Sequence, residues 1–233
     1  MKMNRFYKLA VSALGIMAAC ATSDLRKGAV ALELGDYTMA INFFSRVLEK
    51  NPAHFEARLG MGKALLQKTI DNGDDSVSWR MAVMHLEAAR TLSSSSEVPK
   101  LLAQVWAERA SDLLHGGDTL TALEMLTKAI ASDPQNSQPL NLAGIIYFRM
   151  GRPEKARLLF EGAVKNDTAN PSLLFNLGML YWEEKRIKEA HDLWLRALKM
   201  SPQDEDFLYW FAVAEKSFRD TMHSDPATKD ISR

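Results

Sequence analysis

Along most of the chain, apolar residues recur three and four positions apart, the spacing that places them on one face of an α-helix. Ala40, Phe44 and Val47 form one such set: a small residue, then a bulky one four positions on, then another three on. The set returns as Ala82-Leu86-Ala89, Ala122-Leu126-Ala129, Ala156-Phe160-Ala163 and Ala190-Trp194-Ala197, the last three stepping by 34 residues. The alanines leave room for a neighbouring helix to approach closely. A second helix precedes each set. In it Gly144 and Tyr147 recur 34 residues later as Gly178 and Tyr181, and Gly28 recurs at the same interval as Gly62. Turn residues interrupt the pattern at Leu34–Tyr37 (LGDY), His115–Asp118 (HGGD) and Met150–Pro153 (MGRP), and prolines close the units at Pro52, Pro134 and Pro202. Glycine ends a helix by taking a left-handed conformation and proline cannot continue one. The pattern therefore predicts a chain of helical hairpins.

The 34-residue period, the Gly-x-x-Tyr of the first helix, the Ala-x-x-x-Phe-x-x-Ala of the second and the closing proline together resemble the tetratricopeptide repeat (TPR) family. The resemblance spans nearly all of the chain after its N-terminal segment. It implies an all-α, right-handed superhelical solenoid of about five helical hairpins with a C-terminal capping helix. The units fall at about 21–54, 55–96, 103–136, 137–170 and 171–204, followed by a cap at 205–218 and a polar, flexible tail at 219–233. Lys185 stands where the fifth unit should have its turn glycine. Ala40 to Ala82 is 42 residues and Ala82 to Ala122 is 40, so two insertions are expected, near 69–79 and 93–100. In the second, Ser96 is placed to cap a helix with Pro99 in its first turn.

The first residues follow another pattern. Lys2, Arg5 and Lys8 precede an unbroken run of apolar and small residues from Leu9 to Ala19, and no acid appears before Asp24. This is the layout of a secretory signal, and the run is short for a bilayer span, which takes about 20 residues. It ends Met17-Ala18-Ala19-Cys20, which resembles the lipobox of bacterial lipoproteins, with Met17 where leucine is more usual. That resemblance implies a signal peptide at 1–19, cleavage before Cys20, and lipid on the Cys20 sulfur and on its new amine. Ala21 is not the aspartate that retains some such proteins at the inner membrane. The expected location is thus the outer membrane, facing the periplasm, of a bacterial cell envelope.

Composition narrows the chemistry. Lys and Arg total 29 and Asp and Glu total 29, so no basic excess points to nucleic acid. A single cysteine excludes an intrachain disulfide and a cysteine-based zinc site. His54, His85, His115, His191 and His223 form no His-Glu-x-x-His pair, and neither a phosphate-binding glycine loop nor a Gly-x-Ser-x-Gly setting occurs. The acidic stretch Asp71–Asp75 lacks the order of an EF-hand loop. No cofactor, metal or catalytic residue is expected, and the chain reads as a non-enzyme.

A surface carries the remaining information. In solenoids of this family the first helices line the concave face. With the packing residues set aside, those helices carry Asn141, Ile145, Phe148 and Arg149, then Phe175, Met179, Trp182 and Glu183, then Asp206, Tyr209, Val213 and Lys216. Each set is one helical stripe. Exposed aromatic and arginine side chains are common binding anchors, so the stripe is the expected groove for a partner peptide or helix. The competing reading has the terminal helix bury these residues, with Trp210 and Phe211 claiming the core equally. Trp194, Phe160 and Tyr181 are expected in the core. Some TPR domains clamp a C-terminal carboxylate with Lys, Asn and Arg. Asn141 and Asn176 fit that pattern, but Asp206 stands where it wants lysine. The plan resembles small TPR lipoproteins that assist assembly of pilus secretin rings, and others that gather cell-wall hydrolases. Self-association through the groove is the alternative.

Overall fold

The computed structural model describes residues 23–72 and 77–224. Residues 1–22, with the expected signal peptide and Cys20, part of the acidic stretch (73–76) and the last residues of the tail (225–233) lie outside them. The described residues form α-helices joined by short turns, without strands. They divide into two compact units that meet in sequence at Asp118 and Thr119. The first unit holds α1 (23–33), α2 (Tyr37–Lys50), α3 (Phe55–Asn72), α4 (Ser78–Leu92) and α5 (Glu97–His115). The second holds α6 (Thr119–Ser132), α7 (Ser137–Arg149), α8 (Pro153–Asn166), α9 (Pro171–Glu183), α10 (Ile187–Met200) and α11 (Glu205–Ser224).

Within each unit, successive helices pack as neighbours, as in a TPR solenoid. The repeating small residues explain the closeness. Ala40, Ala82, Ala122, Ala156 and Ala190 are all fully buried. Opposite the bulky residue of the second helix, α1, α3, α7 and α9 each carry a glycine that leaves room for it. Gly28 receives Phe44, Gly62 receives Leu86, Gly144 receives Phe160 and Gly178 receives Trp194. A Cβ on any of these glycines would come within 3.0 Å of the packed side chain.

The turns between first and second helices share one design. The N–H groups of Asp36, Asp118, Arg152 and Arg186 donate to the carbonyls of Ala31, Leu113, Tyr147 and Tyr181, five residues back, at 2.8–2.9 Å. This closure requires a left-handed residue between the helices. Gly35, Gly117 and Gly151 supply it at φ 77°, 84° and 66°. Lys185 supplies it at φ 61°, the same conformation without glycine's freedom. The turns leading into α3, α7 and α9 use a side chain instead. Asn51, Asp133 and Asp167 each accept, through their side-chain oxygen, the backbone N–H two residues on.

Residues 69–72 of the first expected insertion and 97–100 of the second are helical, while Ser93–Ser96 lie between helices. The first lengthens α3 to 18 residues, against 13 in α7 and α9. The second lengthens α5 to 19 by starting it at Glu97, which puts Pro99 in its first turn as expected. Ser96 precedes α5 but makes no side-chain cap bond. Ser95 is the hydroxyl that accepts the Glu97 N–H, at 3.3 Å. At the other end, α11 continues to Ser224, beyond the boundary read at 218.

Candidate partner-binding face

The twelve stripe residues lie in the second unit, on α7, α9 and α11. Asn141, Ile145 and Phe148 are half-buried on α7, and Arg149 is exposed at its end. Phe175, Met179 and Trp182 are half-buried on α9. Tyr209 is 63% exposed on α11, beside Leu208 at 45%. Of the remaining stripe members, Glu183, Asp206 and Lys216 are exposed and Val213 is half-buried.

One fully buried ring organises the aromatic part. Trp194 of α10 donates its indole N–H to the Phe175 carbonyl at 3.1 Å. Its ring centroid lies 6.0 Å from Phe175, 5.8 Å from Trp182 and 5.5 Å from Trp210. Phe175 reaches Phe207 at 5.1 Å, and Trp210 meets Tyr209 edge-on at 5.5 Å. The rings thus run as one connected row from the buried Phe207 and Trp194 out to the exposed Tyr209. Such pairings favour tilted and edge-on arrangements. Ile145 and Phe148 pack on the same cluster as Phe175. Met179 and Trp182 pack on the one formed by Ala190, Trp194 and Ala214.

The two asparagines bond to each other: Asn176 Nδ2 donates to Asn141 Oδ1 at 2.9 Å. That bond ties α7 to α9. Exposed Glu205 and Asp206 open α11, so the end of the stripe nearest them is acidic.

The expected core residues divide. Trp194 and Phe160 are buried, whereas Tyr181 is half-buried. Its hydroxyl donates to Glu161 at 3.0 Å and the Arg186 guanidinium stacks 3.9 Å over its ring. Burial, then the Glu161 carboxylate, raise the phenol above its ordinary pKa. Trp210 and Phe211, left open between core and surface, are both half-buried. Trp210 joins the ring row, and Phe211 lies 5.1 Å from His191. Leu208 was missed in the stripe because its position, next to Tyr209, falls outside the three-four spacing used to find it.

The first unit holds a hollow that the sequence did not reveal. It is about 620 Å³, lined by Leu25, Ala29, Leu32, Phe44, Leu59 and Gly60 with charged residues at its margin. Its residues come from α1, α2 and α3, and their apolar positions coincide with the packing pattern. Among the described residues no cluster of His, Cys, Asp or Glu could hold a metal, and no helix is long and apolar enough to cross a membrane.

Human tetratricopeptide repeat protein 6 is 22% identical over 194 residues. The match takes in 74% of this chain but only 37% of that protein's length. Among solved structures, MamA has a TM-score of 0.53 at 21% identity, covering 80% of this chain and 94% of MamA. PilF of Pseudomonas aeruginosa has a TM-score of 0.53 at 17% identity, covering 88% of this chain and 87% of PilF. At such identities these likenesses concern the fold. The profile of the tetratricopeptide repeat matches residues 25–69, 108–172 and 141–205. The chain belongs to the tetratricopeptide repeat family.

Proposed function

We propose that this protein is a lipid-anchored, non-enzymatic scaffold of a bacterial envelope, holding a partner peptide or helix on the stripe of α7, α9 and α11 and serving assembly of an envelope or pilus complex. TPR proteins are generally non-enzymatic scaffolds for protein contacts. The observation that carries the reading is the ring row that begins in the core and ends at an exposed tyrosine. A rigid, backed aromatic edge presents binding area with little conformational entropy to lose. The backing separates anchors from supports. Phe175 and Trp182 lean on Trp194, so polar replacements there disturb the fold as well as the surface. Tyr209, Leu208 and Arg149 are exposed and report on binding alone. The anchor rests on the Met17-Ala18-Ala19-Cys20 sequence.

The test places a photo-crosslinking amino acid at Tyr209 in the native cell, with the same probe at Leu158 of α8 as reference. A discrete adduct to another protein at position 209 and none at 158 is the expected result. Adducts of equal yield at both sites, or none at 209, reject the groove. An adduct to a second copy of the chain selects self-association instead. Cys20→Ser addresses the anchor separately: the variant should leave the membrane fraction, and unchanged membrane association with normal processing rejects it.

A further inference from the structure

We infer that the outer face of the α1–α2 hairpin rests on the surface of an anionic phospholipid bilayer, so that the first unit is docked on the membrane as well as tethered to it. This rests on the lipid anchor proposed above and adds an orientation that a tether alone lacks.

The face is apolar and open. Leu34 is 79% exposed, Met39 49% and Val30 48%, and with the half-buried Phe43 they border one shallow hollow. Val30 of α1 and Leu34 of the turn that follows it are four residues apart; on α2, Met39 and Phe43 are likewise. Each pair has the spacing of one helical stripe. Exposed apolar side chains grouped in this way mark an interaction surface.

Two features identify the occupant as a membrane. The first is charge. Arg26 and Lys27 line the same hollow, and no acid does. Lys27 Nζ sits 5.7 Å from the centre of the Phe43 ring and Arg46 Cζ sits 5.6 Å from it. Glu33 lies among the residues of the 620 Å³ hollow instead. An apolar patch with long basic side chains beside it suits the boundary between acyl chains and anionic headgroups, where lysine and arginine bury their stems and keep their charges in the headgroup layer. The second is distance. Only Ala21 and Thr22 separate Cys20 from residue 23, the first of α1. Three residue steps reach about 10 Å when fully extended. With Cys20 acylated, the start of α1 is held within that distance of the headgroups. The basic residues of α1 lie towards its tethered end, and the exposed Val30 and Leu34 farther along the chain, so the hairpin can lie along the surface.

The experiment uses the mature, lipidated full chain. Cys20 is the sole cysteine and its sulfur is taken by lipid, so Leu34→Cys introduces the one free thiol. An environment-sensitive fluorophore on that thiol is read in vesicles of phosphatidylethanolamine and phosphatidylglycerol containing acyl-chain spin-labelled lipid. Leu158→Cys, at a 70% exposed position of the second unit, is the reference, and circular dichroism confirms that each variant is folded. Quenching at 34 should exceed that at 158 by roughly threefold or more, and should fall to the reference level when Arg26→Glu and Lys27→Glu are added. Equal quenching at both positions, with Cys20 acylated by mass spectrometry, overturns docking and leaves the anchor standing. An unacylated Cys20 overturns both. Disulfide pairing between copies through position 34, without lipid quenching, assigns the face to a second copy and overturns the membrane.

Discussion

Replacing Gly178 with alanine adds one methyl group, yet it should destabilise the second unit. The new Cβ would lie 2.4 Å from Trp194 Nε1 and 2.7 Å from Trp194 Cδ1, closer than real Cβ contacts come. Trp194 is fully buried and is held by three other aromatic rings, so it cannot slide away freely. Overpacking of this kind costs about 1–3 kcal/mol. If the indole turns to escape, its N–H leaves the Phe175 carbonyl, and an unsatisfied buried donor costs about 1–3 kcal/mol. Alanine's better helix propensity returns only about 0.8–1 kcal/mol. With both costs the net loss is about 1–5 kcal/mol, or about 2–20 °C in Tm at the usual sensitivity of a chain this size. Gly162→Ala is the matched control. It also lies inside a helix, α8, but its Cβ would meet only Leu140 Cδ1, at 3.7 Å, an ordinary contact. There the propensity term acts alone and predicts a gain of about 0.5–1 kcal/mol. Urea unfolding followed by far-ultraviolet circular dichroism measures both variants. The reasoning fails if Gly178→Ala is as stable as the parent, or if the two substitutions shift stability in the same direction.

Two further substitutions probe other features. Lys185→Gly should stabilise the α9–α10 turn by about 0.5–1 kcal/mol, because a left-handed lysine costs about 1–2 kcal/mol and glycine's freer unfolded chain takes back only part of that; a lower Tm would contradict it. His85 is 7% exposed, and its Nδ1 accepts a hydrogen bond from Arg58 Nη1 at 3.1 Å. Burial, then the Arg58 charge, lower its pKa from 6.5 to about 4. The native protein therefore keeps this ring neutral while the unfolded chain protonates it. The associated stability is complete above about pH 6.5 and is lost as pH falls towards 4. His85→Asn should flatten the pH dependence of unfolding within that window, and imidazole NMR should show the native ring neutral at pH 5.5; a ring that titrates near 6.5 contradicts the assignment.

The sequence showed the fold because close packing writes itself into a period. Gly178 and Trp194 must meet, so their types are constrained, and the same pair recurs as Gly144 and Phe160. The insertions were less legible. Polar runs such as Ser93–Ser96 and Asp71–Asp75 suggest loops; Ser93–Ser96 do lie between α4 and α5, but Asp71 belongs to α3, because solvent-facing helix tolerates the same residues. Which serine meets the start of α5 depends on backbone angles that spacing does not encode, so Ser95 takes the role expected of Ser96. In the stripe, helical spacing brought Phe175 and Trp182 to one face. It placed Trp194 in the core but did not show that this ring backs them, because Trp194 belongs to another helix and reaches them only through tertiary packing.

The arrangement of the indoles also equips the molecule with two optical reporters. The five tryptophans of the chain fall into separate groups: Trp79 and Trp106 lie 5.6 Å apart in the first unit, and Trp182, Trp194 and Trp210 lie within 6.3 Å of one another in the second. Rings this close couple their electronic transitions, and each group gives its own near-ultraviolet circular dichroism. Trp79→Phe silences the coupling in one unit and Trp210→Phe removes a partner in the other. The order in which the two halves of the chain lose their packing can then be followed with no external label.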